Sequence, residues 1–286
     1  MLDRRATLVL MGATALSGGT AFAPVAFAKG KVDEALKAAI AGPQRGAAHV
    51  ARDPHRHPYE SLTFWGLKPK QTVIEVSPGS GYWTEILAPY AKATGGTFIA
   101  GVADLANPAL SEGARKGRAN FEAKYADKAV FGDIAYVGFG PKSAPLGPAG
   151  SADLVITARN VHNWLGGGML DKVLADFFAV LKPGGMLGVE DHRADPLPQA
   201  DGAPTGYMST AFVVAAAEKA GFKLAARSEI NANPKDDKDH PFGVWTLPPV
   251  RQSAPRGQPA DPNFDHAPFD SVGESDRMTL RFVKPK

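Results

Sequence analysis

The segment from Val73 to Thr84, V-I-E-V-S-P-G-S-G-Y-W-T, joins an apolar run to a glycine-rich turn and an aromatic run. The apolar run predicts a β-strand around Glu75, and the residues after the turn predict a helix. Gly79 and Gly81 would let the backbone approach a ligand closely, while the acid could accept hydrogen bonds from ligand or loop groups. Thr84 stands where a G-x-G-x-x-G loop has its third glycine, which argues against a pyrophosphate cofactor. A simple tight turn between strand and helix also fits this pattern.

Short β-branched runs and amphipathic segments alternate from Thr72 onward. Strands are predicted at Thr72–Val76, Thr97–Val102, Ala129–Phe131, Asp153–Thr157 and Met186–Glu190. Helices are predicted at Tyr82–Ala91, Glu112–Tyr125, Met169–Leu181 and Ser209–Ala220. Strands that alternate with helices need crossover connections, so this order predicts a mainly parallel sheet with helices on both faces.

The two ends of the chain depart from this alternation. Strands are predicted at Lys223–Ile230 and Met278–Val283 without a helix between them, which favours an antiparallel C-terminal edge strand in a seven-stranded sheet. The loop between them, 231–276, is of a length that is typically functional or disordered. Before the sheet, residues 29–70 combine a helical pattern at Val32–Ile40 with an aromatic one at Tyr59–Leu67 and are predicted to form a helical cap.

The first 28 residues have the order of a secretory signal peptide. Arg4 and Arg5 precede an apolar stretch, and Ala26–Ala28 forms an A-x-A cleavage pattern before Lys29. A transmembrane anchor is the alternative, but glycines and Pro24 interrupt the stretch. The arginine pair also resembles a twin-arginine leader, although its flanking residues fit only loosely. These features predict a periplasmic or secreted protein, and no later segment is long and apolar enough to span a bilayer.

The composition narrows the classes of partner. The formal net charge of the 286 residues is +3, and loss of the leader with Asp3, Arg4 and Arg5 would leave +2. No basic run with interleaved aromatic residues is present, so nucleic acid and anionic membrane surfaces are not indicated as partners. The chain contains no cysteine, which excludes disulfides, thiolate metal sites and cysteine nucleophiles.

The glycine-rich turn and the strands around it resemble class I S-adenosylmethionine (SAM) dependent methyltransferases. Their first motif is an acid followed by alternating glycines, E-x-G-x-G-x-G. Glu75, Gly79 and Gly81 match this motif, and Ser77 replaces its first glycine. The fourth predicted strand, its polar-aromatic loop and the L-K-P-G-G turn at 181–185 follow the same pattern. The resemblance implies a Rossmann-like α/β domain over 71–286, SAM as cofactor and an acceptor that it does not identify.

The resemblance also implies positions for cofactor-binding residues. They are Glu75, Ser77, Gly79, Gly81, Asp104, Asp133 and Asn160. Asp104, after the second strand, would accept hydrogen bonds from the ribose hydroxyls, and Asp133, taken to follow the third strand, would lie on the adenine side. Each of these two acids could instead be a solvated loop carboxylate.

The resemblance narrows to a small group of exported methyltransferases. The shared features are Arg56–Pro58 with Glu60, Phe64–Pro69, Arg159–Trp164, Phe242–Trp245 and Gly273–Met278. Among these, His57, Glu60, Asn163 and Trp164 are predicted to belong to a substrate site or a lid.

Methyl transfer from a sulfonium is an in-line displacement, so the enzyme chiefly positions the two reactants and sometimes supplies a base. His162 and Asp191, with Asn160, are the predicted catalytic residues, and His192 is a weaker candidate base. A hydrogen-bonded structural role is the alternative for each histidine. His55 and His57 were considered as metal ligands, but the sequence around them does not form a recognisable ligand set. No metal is therefore predicted.

Two other functions compete with methyl transfer. A nicotinamide or nucleotide-sugar oxidoreductase is disfavoured by Thr84 and by the lack of a convincing Tyr-x-x-x-Lys pair. A non-catalytic binding protein that keeps the methyltransferase fold is the second alternative, since SAM is made in the cytosol and an exported enzyme would need a supply of it.

Overall fold

The structure, a computed structural model, describes residues 32–286, so the predicted signal peptide lies outside the described residues. The strands are β1 (Thr72–Val76), β2 (Thr97–Ala103), β3 (Ala135–Phe139), β4 (Ala152–Ala158), β5 (Leu181–His192), β6 (Lys223–Ser228), β7 (Pro241–Val244) and β8 (Arg277–Val283). The helices are α1 (Glu34–Ala41), α2 (Ala47–Val50), α3 (Asp53–Arg56), α4 (Pro58–Trp65), α5 (Thr84–Thr94), α6 (Glu112–Lys124), α7 (Lys128–Phe131), α8 (Val161–Gly166), α9 (Leu170–Val180), α10 (Thr210–Lys219) and α11 (Ala267–Val272).

Seven of the strands form one sheet in the order β3-β2-β1-β4-β5-β8-β6. β1 pairs in parallel with β2 and β4, and the remaining pairs from β3 to β5 are also parallel. β8 is antiparallel to both β5 and β6. The predicted mainly parallel sheet is confirmed, and its last strand is antiparallel as expected. That strand lies between β5 and β6, so β6 occupies the edge.

Alternate residues of the central strands enter two separate apolar cores. Ile74 and Val76 of β1 contact the core that contains α9 and α10 residues, whereas Val73 contacts the core formed with α1, α4 and α5. This alternation follows from the two-residue period of a strand, and it covers both faces of the sheet with helices.

The helices before the sheet pack against α5 through polar contacts as well as apolar ones. The Asp33 carboxylate begins α1 by accepting from the backbone N–H of Leu36 at 3.0 Å, and it also accepts from the hydroxyl of Tyr90 at 2.6 Å. Further along, the Glu85 carboxylate accepts from the backbone N–H of Gly46 at 3.0 Å. These contacts place the α2–α3 segment beside the turn that follows β1.

The third strand differs from the prediction. Residues Ala129–Phe131, predicted as a strand, belong to helix α7, because the Asp127 carboxylate caps its first turn by accepting from the N–H of Ala129 at 2.8 Å. The third strand of the sheet is instead Ala135–Phe139, which pairs with β2. A three-residue apolar run is too short for periodicity to separate a strand from a helical turn.

The long segment at 231–276 carries local structure, namely β7 and α11. Asn231 anchors its beginning, because its side-chain nitrogen donates to Ser61 at 3.1 Å and to Thr279 at 3.0 Å. Near its end, the Asp276 carboxylate accepts from Arg193 and from the N–H of Asn233. The segment is thus tied at both ends to the β5–β8 part of the sheet. None of the helices between Val32 and Lys286 has the length and apolar character needed to cross a bilayer.

Candidate cofactor and active site

The turn between β1 and α5 lies at the carboxyl edge of the sheet. Ser77, Gly79 and Gly81 have φ angles of 56°, 59° and 88°, all in the left-handed region. The turn is held against β2 by a hydrogen bond of 2.9 Å from the N–H of Ser77 to the carbonyl of Gly101. Its three left-handed residues expose a tight backbone surface at the position where the strand order reverses between β1 and β4, which is where open α/β sheets bind ligands.

Ser77 is the position at which the sequence departs from the methyltransferase motif. A φ angle of 56° costs a residue with a Cβ about 1–2 kcal/mol, while glycine adopts it freely. The serine therefore keeps the backbone path of the motif but at a conformational cost.

We expect Ser77→Gly to raise the free energy of unfolding by about 1 kcal/mol, because it relieves this strain. The control is Ser80→Gly in the same turn, where φ is not positive; glycine should lower the stability by about 0.5–1 kcal/mol through chain entropy, and loss of the contact between Ser80 Oγ and His49 Nε2 at 3.0 Å should add to this. Urea denaturation of both variants measures the difference. If both substitutions changed the free energy of unfolding in the same direction, the backbone of Ser77 would not be strained.

Glu75 is buried at the end of β1, with 2% of its surface exposed. One carboxylate oxygen accepts a hydrogen bond of 2.6 Å from the hydroxyl of Thr84, the first residue of α5. Burial raises the pKa of Glu75 to about 8, although the bond from Thr84 and the charge of Arg56 oppose this shift. The raised pKa favours the protonated carboxyl group at neutral pH.

The raised pKa of Glu75 predicts a pH-dependent stability. A carboxyl group whose folded pKa exceeds its unfolded value stabilises the fold fully at low pH, and this contribution is lost as pH rises through the folded pKa near 8. We expect Glu75→Gln to match the wild type near pH 5 and to become more stable above it, by at most about 1.4 kcal/mol per pH unit. Denaturation across pH measures this, with the exposed Glu112→Gln as control. A pH-independent difference would contradict the assignment.

Two cavities meet at this turn. The first, of about 440 Å³, extends to the ends of β2 and β3 and is called here the apolar cavity. Its lining includes Val102, Ala103, Phe121, Phe139, Trp164 and Met169, together with Arg118, whose guanidinium donates to the carboxylate of Glu122 and to the carbonyl of Ala103. The second, of about 260 Å³, is called the arginine cavity because Arg52, Arg56 and Arg159 line it together with Glu75. Ser77, Pro78, Gly79 and Asn160 line both. The turn thus separates an apolar compartment from a cationic one.

Asn160 links the ends of β1 and β4. Its side-chain nitrogen lies 3.1 Å from the carbonyl oxygen of Ser77, 2.9 Å from that of Ala158 and 3.2 Å from the hydroxyl of Thr157. These contacts occupy the amide donor with protein groups, so Asn160 holds the turn in place between the two cavities. The structure brings it together with Glu75, Ser77 and Gly79 around one cavity.

His162 and Asp191 form a buried pair at the ends of β4 and β5. The Nδ1 atom of His162 lies 2.9 Å from one carboxylate oxygen, and the backbone N–H of His162 donates to the other at 3.0 Å. His162 lines a third cavity, of about 460 Å³, with Asn163, Trp245 and Arg256. The carboxylate orients the imidazole as a general base requires. The cavity that His162 lines is nevertheless different from the two that Asn160 lines.

Within residues 32–286, the same pair belongs to one of two clusters that could hold a metal ion. His162, Asp191 and His192 offer ligand atoms within 4.8 Å of one another, and Asp236, Asp237 and His240 form the other cluster. In the first cluster the Asp191 carboxylate already accepts from the N–H groups of His162 and His192. Burial, followed by the charge of Arg159, holds the pKa of His192 well below its ordinary value. A cation would therefore displace existing hydrogen bonds close to a positive charge.

The two acids predicted to contact the nucleoside lie in different places. Asp104 directly follows β2, beside Ala103 of the apolar cavity, and its carboxylate accepts from the N–H of Ala106 at 3.0 Å. Its contact with ribose stays a prediction. Asp133 precedes β3 and its side chain is 84% exposed, paired with Lys128 at 2.6 Å. It therefore lies at the amino end of a parallel strand, away from the turn, and the structure corrects its predicted role.

The predicted substrate or lid residues are also separated. His57 Nδ1 lies 3.2 Å from Asn231 Oδ1, which connects the N-terminal helices with the 231–276 segment. Glu60 is exposed on α4. Asn163 lines the third cavity, whereas Trp164 belongs to the wall of the apolar cavity. Their shared lid function stays a prediction.

The arginine cavity was not predicted, although two of its residues occur in motifs noted above. Arg56 precedes the His57-Pro58 pair, and Arg159 begins the loop after β4. Arg52 lies three residues before His55, outside these motifs. The available signal was the presence of Arg56 and Arg159 in two of these motifs, but spacing along the chain does not show that the two side chains converge.

No protein-family model and no curated protein matches the sequence. Solved structures match over most of the chain. A SAM-dependent methyltransferase from Aquifex aeolicus is 16% identical, with 82% of this chain and 93% of that one covered and a TM-score of 0.52. Geranyl diphosphate C-methyltransferase from Streptomyces coelicolor A3(2), in complex with Mg²⁺, geranyl diphosphate and S-adenosyl-L-homocysteine, is 11% identical over 86% and 87%, with a TM-score of 0.51.

A third match is the [4+2]-cyclase SpnF, which is 14% identical over 87% of this chain and 91% of its own, with a TM-score of 0.53. Identities this low compare folds rather than activities. The expected architecture is confirmed at that level: this chain has the fold of the class I SAM-dependent methyltransferases.

Proposed function

We propose that this protein is a SAM-dependent methyltransferase. The observation that carries the proposal is the pair of cavities joined at the Ser77–Gly79 turn. SAM is an elongated molecule with a nucleoside at one end, an amino acid at the other and the sulfonium between them. An apolar cavity and a charged cavity that share one glycine turn match this division of chemistry, at the edge of the sheet where such ligands bind.

In this proposal the nucleoside lies in the apolar cavity and the sulfonium lies near the shared turn. Asp104 is the ribose acceptor, since it follows β2 at the same edge. Gly79 lets the backbone approach the ligand, because no atom lies within 4 Å of the place where a Cβ would be. Asn160 keeps the turn in position. With the turn fixed, catalysis consists mainly of aligning the acceptor with the methyl group.

His162, oriented by Asp191, is the base that we assign to acceptors that must lose a proton. Its ring lines the third cavity, so this role requires the acceptor to extend between that cavity and the shared turn. His162→Gln should then lower the rate of transfer without weakening SAM binding. Equal losses of transfer and of binding would argue for a structural role.

A second candidate function is that of a protein that keeps the methyltransferase fold and binds SAM without transferring its methyl group. SpnF shares the fold and is named a cyclase, so the fold alone does not determine methyl transfer. The two functions are separated by incubating the protein with methyl-labelled SAM and an extract of the cell envelope. We expect the label in a product and stoichiometric S-adenosylhomocysteine. SAM binding without transfer to any component, while a known methyltransferase labels the same extract, would favour the second function.

We further propose that the protein is exported and belongs to a group of exported methyltransferases. Arg4, Arg5, the apolar stretch and Ala26–Ala28 support export, and the motifs shared with that group support membership. N-terminal sequencing of protein recovered from the periplasm should begin at Lys29. Replacement of both arginines by lysine should block export if the twin-arginine route is used, whereas an unprocessed chain in the cytosol would contradict export.

A further inference from the structure

A serine, a histidine and a glutamate form a chain of contacts beside the turn after β1. Ser80 lies in that turn, is exposed and lines the arginine cavity. Its Oγ atom lies 3.0 Å from Nε2 of His49. The other ring nitrogen of His49, Nδ1, lies 2.8 Å from a carboxylate oxygen of Glu85. A hydroxyl, an imidazole and a carboxylate joined in this order through the two ring nitrogens are the arrangement that activates a serine as a nucleophile.

The burial of the three residues differs in the way that this chemistry requires. Ser80 is exposed, whereas His49 is 8% and Glu85 only 1% exposed. Further contacts fix the Glu85 carboxylate, which accepts from the N–H of Gly46 at 3.0 Å and lies 2.9 Å from Nζ of Lys124. The imidazole is therefore held between an accessible hydroxyl and an immobilised, buried carboxylate.

The His49 ring has the protonation state that a general base needs. Burial lowers its pKa, although the Glu85 carboxylate opposes this shift. The carboxylate also favours the tautomer with the proton on Nδ1, which leaves Nε2 to accept the proton of Ser80. The contact between Nδ1 and Glu85 is a close ion-pair contact without the alignment of a hydrogen bond. Catalytic hydrogen bonds are often poorly aligned without substrate and tighten in the complex.

The arginine cavity supplies donors for a negatively charged oxygen. Arg52 and Arg159 line it together with Ser80. The Nη2 atom of Arg52 and the Nε atom of Arg159 are buried without a hydrogen-bond partner in the part of the chain that the structure describes. The N–H of Gly81 donates to the carbonyl of Pro78 at 2.9 Å, so it is not available beside the serine. Fixed cationic donors near a nucleophile stabilise the oxyanion of a tetrahedral intermediate.

We propose that Ser80, His49 and Glu85 form a second catalytic centre, which hydrolyses small carboxylic esters. The cavity of about 260 Å³ limits the size of the ester. This activity goes beyond the proposed function, because it needs no SAM and takes place while the arginine cavity is free of it.

The reaction has two steps. In the first, Ser80 Oγ bonds to the carbonyl carbon and its proton passes to Nε2 of His49; the ester C–O bond breaks and the alcohol leaves with that proton. In the second, a water oxygen bonds to the acyl carbon and gives a proton to His49. The bond to Ser80 then breaks, the carboxylic acid leaves and the proton returns to the serine.

Labelling of the wild-type protein identifies the reactive residue. A fluorophosphonate bonds through phosphorus to an activated serine oxygen and releases fluoride. Incubated without SAM, the protein should gain the mass of a single adduct, and peptide mapping should locate that adduct on Ser80. An unlabelled protein, or a label on another residue, would overturn the proposal. This measurement needs no variant, so it does not depend on the folding of a substituted chain.

Hydrolysis of p-nitrophenyl acetate, also without SAM, tests the roles of the serine and the histidine. Ser80→Ala and His49→Gln should each lower kcat/KM by about a hundredfold or more, because loss of the nucleophile or the base disables the unit. The matched control is Ser271→Ala, an exposed serine that contacts only the carbonyl of Pro268 and should keep the wild-type rate. Equal rates in Ser80→Ala and the control would overturn the proposal. Failure of the proposed function would not affect these rates.

Glu85→Gln tests whether Glu85 is a positioning residue. The charges that act on His49 are those of Glu85, Lys124 and Arg52, and the ring of Tyr82 packs edge-on at 5.8 Å. Because the carboxylate raises the pKa of His49, its loss should move the acid limb of the rate profile to lower pH, with a fall in rate of about a hundredfold. A lower rate with an unmoved acid limb would overturn the three-residue centre and leave Glu85 a structural role.

Discussion

Glu274→Gln should lower the free energy of unfolding by about 3–5 kcal/mol, because it leaves buried guanidinium groups without their shared carboxylate. Glu274 is 4% exposed and contacts Arg52, Arg56 and Arg277. Burial alone would raise its pKa, but the charges of Arg277, Arg56 and the other arginines hold it well below the ordinary value. The substitution keeps the shape of the side chain, removes its charge and replaces one acceptor oxygen by an amide donor that faces the arginine donors.

The matched control is Asp270→Asn, which removes a carboxylate from an exposed pair with Arg251 and should change the stability by less than about 1 kcal/mol. The pH dependence provides a second check. A carboxylate with a lowered pKa stabilises the fold above its unfolded pKa, and this contribution is lost as pH falls toward the folded value. Wild type and Glu274→Gln should therefore converge in acid. If Glu274→Gln lowered the free energy of unfolding as little as Asp270→Asn does, the ion pairs of Glu274 with the buried arginines would not stabilise the fold as described.

Gly81→Ala should be the most damaging change in the turn. A Cβ at this position would lie 1.9 Å from the hydroxyl oxygen of Tyr125, whose side chain is buried at 2% exposure. The φ angle of 88° adds backbone strain. Together, overpacking and strain should lower the free energy of unfolding by about 2–5 kcal/mol.

Gly79→Ala separates stability from binding in the same turn. Its φ angle of 59° is also positive, but no atom lies within 4 Å of the added Cβ. We expect a loss of only about 1–2 kcal/mol in stability, together with weaker binding of S-adenosylhomocysteine, because Gly79 lines both cavities. Urea denaturation and calorimetry measure the two effects. Equal destabilisation by the two alanines would contradict the described packing of Tyr125.

The sheet could be predicted from the sequence because its strands are buried and separated by clear helical patterns. β1 was predicted to the residue, and β2 differs only by one residue at its end. The prediction of the third strand was wrong because the apolar run Ala129–Phe131 is too short for its pattern to distinguish a strand from a helical turn. Asp133 was therefore predicted to follow the third strand, whereas it precedes that strand. The position of β8 between β5 and β6 depends on tertiary pairing that adjacency in sequence does not encode.

Residues of the candidate site could be predicted only where they lie close together in the sequence. Glu75, Gly79 and Gly81 lie within one turn, so their spacing carries the signal. The arginine cavity assembles Arg52, Arg159 and the Glu274 network from segments more than 100 residues apart. The charge balance of such a cluster depends on burial and distance, and neither can be obtained from the order of residues.

The proposed function requires the turn after β1 to bind SAM. Calorimetric titration of residues 29–286 with SAM and S-adenosylhomocysteine tests it most directly, with circular dichroism to verify folding. We expect micromolar dissociation constants for both ligands and markedly weaker binding to Gly79→Ala. Absence of binding of either ligand to the folded wild-type protein would contradict the claim.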